Sequence, residues 1–267
     1  MRLFWCQLRD ISVLNRDVPW GAPCVVCAEE VSANHEEDEL SQRRVAKGEN
    51  RLPPALAVVA AIIVYALLPD SVLFTPRFVI PGLEVLLLVA LVATNPRRMT
   101  RESRWSRWAS AGLAGIVIVT NLAALGLLIE TLSRHSTGGP PLLIAAMQVW
   151  VTNVIGFALL YWELDRGGPV ARRRLRRKDL AAADWRFSQD ENDDTVIEVK
   201  KTSSEYSGWI PVFVDYLYLS VTNSSAFSPT DTMPLTSRAK ILMAVQASAA
   251  LLTSLLVIAR AVGTLGG

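Results

Sequence analysis

The chain has 267 residues, 51% of them apolar and only 19% charged, with a mean hydropathy of +0.30. That is too little charge to clothe a soluble globule of this size, so a soluble fold is excluded. A net charge of +2 gives no electrostatic case for a nucleic-acid partner. Three cysteines, Cys6, Cys24 and Cys27, make no disulfide framework.

Residues 1–52 are polar and include the charged stretch from Asn34 to Glu39; they read as a loose cytoplasmic tail. They hold no continuous apolar run of the signal-peptide kind, so the first span is expected to act as the insertion signal. Residues 55–68 form that first segment, short, with Pro53 and Pro54 at its start, where proline is tolerated. Residues 78–94 follow, interrupted early by Pro81, Gly82 and Glu84. Residues 109–129, 142–162 and 241–259 carry no charge at all, and about 20 apolar residues suffice to cross the ~30 Å hydrocarbon layer. Gly167-Gly168-Pro169 breaks the chain into a charged stretch, and a weaker apolar segment, 209–227, precedes the last span, 239–259. The chain therefore reads as an all-α, polytopic helical membrane protein. A tail (1–52), a four-helix transmembrane region (53–163), a charged cytoplasmic loop (164–207) and a C-terminal hairpin with the last helix (208–265) are its expected parts. Six hydrophobic segments are expected, or five plus a re-entrant one.

Positive residues in short loops set orientation. Sixteen lysines and arginines flank the first segment, the 96–108 loop and the start of the 164–207 loop; the alternate loops carry only Arg77 and Arg134. A multi-pass protein of the cell membrane with a cytoplasmic N-terminus is expected, with 228–237 outside if 209–227 crosses fully. Trp105, Trp108, Trp162 and Trp209 sit where interface anchors belong.

Polar residues at membrane depth are the candidate sites. Glu84 lies about 9 Å into its segment at 1.5 Å per residue, and Gln148 lies at a matching depth, so the two are candidates to meet. An intramembrane carboxyl marks an ion or proton path, unless it is held protonated in a local hydrogen bond. Asn121 and Asn153 read as interhelical glue, and Ala111 with Gly115 as a close helix contact. Asp215 is a further polar residue at depth, with Arg260 as its expected partner. No nucleophile and base are placed to form a triad, and Cys24, Cys27, Cys6 and His35 match no common zinc spacing. No enzyme, no metal and no cofactor are expected. The basic run from Arg172 to Lys178 is suited to anionic lipid or to fixing topology alone.

The segment from Tyr218 to Thr236, followed at once by a span, resembles the pore segment of two-transmembrane potassium channels. In that family a short helix, a filter reading T-V-G-Y-G-D, an x-x-P-x-T tail and the inner helix follow in order. Tyr218, Ser220, Asp231, Pro234 and Thr236 fall on matching positions without a gap. The filter itself is not retained: Ala226-Phe227-Ser228-Pro229-Thr230 replaces T-V-G-Y-G, removing both glycines and their access to φ > 0. Selectivity by a ring of dehydrating carbonyls is not implied. With Tyr161-Trp162-Glu163-Leu164-Asp165-Arg166-Gly167-Gly168-Pro169, the hairpin also resembles a family of uncharacterised bacterial integral membrane proteins, over most of 53–265. A channel- or transporter-like protein passing a small ion is expected. Because five hydroxyl or carboxyl groups within eight residues beside a span cannot face lipid, Ser224, Ser225, Ser228, Thr230 and Asp231 are expected to line the polar part of the path at the outer mouth of the bundle. Asp231 or Thr232 is otherwise an N-cap for the last helix. A conducting protein is expected to be a homo-oligomer. The alternative is a non-conducting scaffold that binds partners through its basic loop.

Overall fold

The computed structural model describes residues 49–68, 73, 76, 78–94, 98–99, 104–134, 140–191, 196–225 and 231–265, all within the compact unit Leu40–Gly267. The cysteines and His35 lie outside the described residues, as do Ser228 and Thr230. The fold is helical. Its elements are β1 (Glu49–Asn50), α1 (Leu52–Ala66), α2 (Val79–Thr94), β2 (Arg98–Met99), α3 (Arg104–Arg134) and α4 (Pro140–Leu164). There follow α5 (Pro169–Arg174), β3 (Trp185–Arg186), α6 (Ile197–Lys200), α7 (Ser204–Ser207), α8 (Phe213–Ser225), β4 (Met233–Pro234) and α9 (Ser237–Leu265). The two strand pairs, β1 with β2 and β3 with β4, are antiparallel and two residues long.

Three helices are long and apolar enough to cross a membrane: Trp108–Thr131, Leu143–Gly167 and Ser237–Ala259. Helix α1 and the apolar part of α2 are shorter, and α8, at 13 residues, rises only about 20 Å. Six full spans are therefore not what the helix lengths give. The sharpest shortfall is at 209–227, where Pro211 precedes a helix that ends at Ser225.

Two apolar clusters give the helices their direction. One holds Val58 and Ala61 of α1, Leu113 and Val117 of α3, Phe157 and Tyr161 of α4, Phe213 and Leu219 of α8, and Ala239 and Met243 of α9. The other holds Tyr65 of α1, Ile80 of α2, Leu125 of α3, Val149 of α4 and Ala249 of α9. Helices α1 and α3 thus run from the first cluster to the second, and α4 runs back. Helix α9 starts in the first cluster again, and so does the helix before it, α8. Two consecutive helices that start at the same end require the chain between them to return there. The expected crossing of 209–227, with 228–237 at the far end from 164–207, is overturned by this pairing: β4 lies against β3, and the Leu235 N–H donates to the Asp184 carbonyl at 2.8 Å.

Helices α3 and α4 share the most extensive contact. Gly156 permits it, because a Cβ there would lie 3.0 Å from Val117 Cγ1 and 3.1 Å from Ile118 Cγ1, whereas Gly115, expected as the close-contact residue, has nothing within 4 Å. Small residues let backbones approach where lipid offers no hydrophobic drive. Of the expected interface tryptophans, Trp108 is exposed but Trp162 is buried.

Candidate functional site

The C-terminal hairpin is clamped at both ends. At the start of α8, the Phe213 N–H donates to Glu49 Oε1 at 3.0 Å and the Val212 N–H to Asp215 Oδ2 at 2.7 Å. Asp215 therefore caps its own helix, at the end of the bundle where α9 begins, while Arg260 lies some 22 residues along α9, about 33 Å away. That backbone separation is too long for the expected Asp215–Arg260 pair. One turn on, the Tyr216 hydroxyl donates to Asp165 Oδ2 at 2.6 Å, and the Ser220 hydroxyl reaches the Val154 carbonyl at 2.7 Å. At the far end of α8, Ser224 is buried and Ser225 is exposed, its hydroxyl bonded back to the Val221 carbonyl at 2.8 Å. Both line an open cavity of about 400 Å³ together with Trp150, Thr253 and Ser254.

The returning chain is anchored by Asp184, whose side chain is fully buried. Its Oδ1 accepts from Arg238 Nε at 2.6 Å and from the Thr236 hydroxyl at 2.5 Å, and Oδ2 accepts from Arg238 Nη2. Thr236 also accepts the Ala239 N–H at 3.2 Å, so Thr236 and not Asp231 or Thr232 caps α9. Asp231 itself is exposed beside β4.

The described parts of the charged stretch, 164–191 and 196–207, cap this end. Asp165, fully buried, joins Tyr216 to the Asp184 backbone N–H, which donates to its Oδ1 at 2.7 Å. Arg172 is fully buried, donating to the Trp162 and Asp165 carbonyls at 2.8 and 2.7 Å and stacking 5.0 Å over the Tyr216 ring. The sharp turn that brings Arg172 back is made at Gly167 and Gly168, with φ of 83° and 95°, where a side chain is strained. The basic run is thus partly internal: Arg172 is buried and Arg177 donates to the Ser204 and Trp209 carbonyls, leaving Arg174 and Lys178 exposed. Burial pushes the Glu49 carboxyl above its ordinary value, opposed by Arg172, by the Trp162 indole N–H, by Arg173 and by the Phe213 N–H. Burial also lowers the Arg173 guanidinium, with Glu49 partly offsetting it.

A polar layer separates the two apolar clusters. It comprises Glu84 on α2, Thr120 and Asn121 on α3, Thr152 and Asn153 on α4, Ser220, Asn223 and Ser224 on α8, and Gln246 on α9, all buried. Gln246 is its hub. Its Oε1 accepts from the Tyr161 hydroxyl at 2.6 Å and Asn223 Nδ2 at 2.9 Å, and its Nε2 donates to the Ser220 carbonyl and to the Ser220 and Ser224 hydroxyls. The asparagines do join helices: Asn121 Nδ2 donates to the Val149 carbonyl at 2.6 Å, and Asn153 Nδ2 to the Gln246 carbonyl at 3.3 Å. Glu84 and Gln148 do not bond each other; Glu84 Oε2 and Gln148 Oε1 are buried without a partner.

Gln246, Glu49 and Asp184 are organising residues that the sequence reading missed, and it gave Asp165 and Arg172 no part in the packing. A glutamine inside an uncharged span was a visible signal, and so were the carboxylates beside Gly167-Gly168. Among the described residues, no three His, Cys, Asp or Glu side chains converge on a metal-sized site. No protein-family model matches the chain, and neither does any curated protein or solved structure.

Proposed function

We propose that this chain is an integral membrane protein of channel- or transporter-like type, in which α8 and the chain after it form a re-entrant hairpin that passes a small ion. The observation that carries this reading is directional. Helices α8 and α9 both start in the same apolar cluster, and β4 returns to β3, so α8 enters the bundle and the chain comes back to the end it left. A helix of 13 residues that ends in Ser224 and Ser225 at an open, mostly apolar cavity is the shortest of the bundle's apolar helices, as a half-span would be. Polar groups at such depth are tolerated where they meet protein or water. Five membrane segments, of which α1 and α2 are shorter than the other three, with the N-terminus and residues 164–207 cytoplasmic, complete the proposed topology, and conduction calls for a homo-oligomer. The alternative, a scaffold binding through its basic loop, draws less support because Arg172 and Arg177 are engaged inside the chain.

Ion flux into liposomes carrying the purified protein tests the proposal. Asp231 stands exposed where the hairpin returns, so Asp231→Asn removes a cation-attracting charge from its mouth. Flux is expected to fall, most steeply at low ionic strength, where screening is weakest. No flux in the wild type, or equal flux in the variant at every salt concentration, would overturn the conducting role.

A further inference from the structure

The part of the polar layer away from the hairpin has an imbalance that hydrogen bonding within the chain does not resolve. Its buried atoms without partners are Glu84 Oε2, Asn121 Oδ1, Gln148 Oε1 and Asn153 Oδ1. All four are acceptors. The unpartnered donors, on Arg172 and Arg173, are at the capped end. Buried oxygens lacking donors are costly, and hard oxygen groups of this kind suit a hard cation.

Three of the four lie on stretches that border the second apolar cluster. Ile80, one turn before Glu84 and on the same helix face, packs in the cluster with Ala145, Ala146 and Val149, the residues flanking Gln148. Asn121 reaches that same stretch of α4, donating to the Val149 carbonyl and to Thr152 Oγ1. Thr152 in turn donates to the Gln148 carbonyl at 3.0 Å. Asn153 faces α9 instead. Glu84 is 2% exposed and Asn121 3%, so both are removed from solvent and lipid. Tyr65 is the titratable side chain of α1, and α3 and α4 bring no ionisable group between Ala109 and Ile129 or between Pro140 and Leu160.

We infer that Glu84, Asn121 and Gln148 frame a buried site for one small monovalent cation, which enters in exchange for the Glu84 proton. The exchange balances: the carboxylic acid releases one proton to water, and the carboxylate with its bound cation is again neutral. Neutrality is what a low-dielectric interior demands, since an unpaired buried charge is expensive. A divalent ion would leave one positive charge uncompensated. The amide oxygens of Asn121 and Gln148 complete the shell that the carboxylate begins. The site is separate from the hairpin, so it stands whether or not the hairpin conducts.

Equilibrium measurements on the full chain in lipid nanodiscs test this without any ion gradient. NaCl is titrated against choline chloride at constant ionic strength, with thermal unfolding, radioactive sodium binding and proton release as readouts. The expected result is one Na⁺ bound per chain, about one proton released and a raised Tm. Glu84→Gln keeps the shape and neutrality of the protonated side chain but has no charge to offer, and its affinity is expected to fall by more than about a hundredfold. Gln148→Ala, which leaves the carboxyl intact, is expected to weaken binding with proton release still stoichiometric. Equal binding by the wild type and Glu84→Gln, or no sodium-specific binding by the wild type, overturns the site.

Discussion

Replacing Gln246 with leucine asks whether polar contacts or packing alone hold the hairpin against α9. The two side chains are similar in size, so little cavity is created. What disappears is the acceptor of the Tyr161 hydroxyl (2.6 Å) and of Asn223 Nδ2 (2.9 Å), and the donor to Ser220 and Ser224. Asn223 keeps the Met243 carbonyl at 3.1 Å, and the Ser220 hydroxyl keeps Val154 at 2.7 Å. Tyr161, fully buried, is left with its hydroxyl facing leucine. Side-chain hydrogen bonds inside membrane proteins average about 0.6 kcal/mol, while an orphaned buried donor costs about 1–3 kcal/mol. Together these give a loss of about 2–4 kcal/mol, of which the stranded tyrosine hydroxyl is the largest share.

Unfolding in mixed micelles of increasing SDS fraction, followed by tryptophan fluorescence, measures the loss. Tyr161→Phe alone is expected to cost about 1 kcal/mol. In the double variant the two changes should oppose: once the hydroxyl is gone, nothing is stranded, so Tyr161→Phe added to Gln246→Leu should restore stability. Such a sign reversal is the mark of direct coupling. A double variant less stable than Gln246→Leu, or a single leucine variant within about 0.5 kcal/mol of the wild type, would refute the hub.

Two further outcomes are expected. Gly156→Ala sets a methyl group 3.0 Å from Val117 Cγ1, an overpacking worth about 1–3 kcal/mol, and Val117→Ala in the same chain should recover part of it in the same unfolding assay. Burial raises the Glu49 carboxyl above 4.5, so between that raised value and 4.5 the folded chain binds more protons than the unfolded one. This group's contribution to stability therefore rises as pH falls through that window. Glu49→Gln should remove that rise, and superimposable stability–pH curves for the two proteins would contradict it.

The long helices were legible because charge is decisive at membrane depth. Residues 109–129, 142–162 and 241–259 lack it entirely, and each falls inside an observed helix. Glu84 stood out for the same reason. What escaped were features set by partners distant in sequence. Nothing local in 209–227 distinguishes a short crossing from a half-span; the decision comes from Asp184 and β3, about 50 residues from Arg238 and β4. Gly115 fits the small-residue spacing, yet it is Gly156 that faces a neighbouring helix closely, because spacing fixes a face but not what lies opposite it. Gln246 was diluted by the apolar residues around it, and its weight follows from having Tyr161, Ser220, Asn223 and Ser224 within reach at once. Trp162 reads as an interface anchor from position, but its indole N–H is held by Glu49 at 2.7 Å, a residue assigned by composition to the tail.

The returning hairpin also removes an anomaly in the charge distribution. A full crossing at 209–227 would strand Arg238 and Lys240 on the side that otherwise carries only Arg77 and Arg134. With α9 starting beside α8, Arg238 is paired with Asp184 at the capped end, and Lys240 follows it within one turn. All the short loops rich in arginine and lysine then share one end of the bundle, as the positive-inside rule requires. The same geometry differs from that of a potassium-channel pore segment. A pore helix of that family enters from the outer side, whereas α8 would enter from the cytoplasmic one, beneath a cap built from Asp165, Arg172 and Asp184. On the proposed orientation the entry side is reversed and the filter glycines are replaced, so what is shared is only the order of a helix, a return and a following helix. On the proposed conducting reading, the polar groups offered along the hairpin are the hydroxyls of Ser224 and Ser225 and the carboxylate of Asp231.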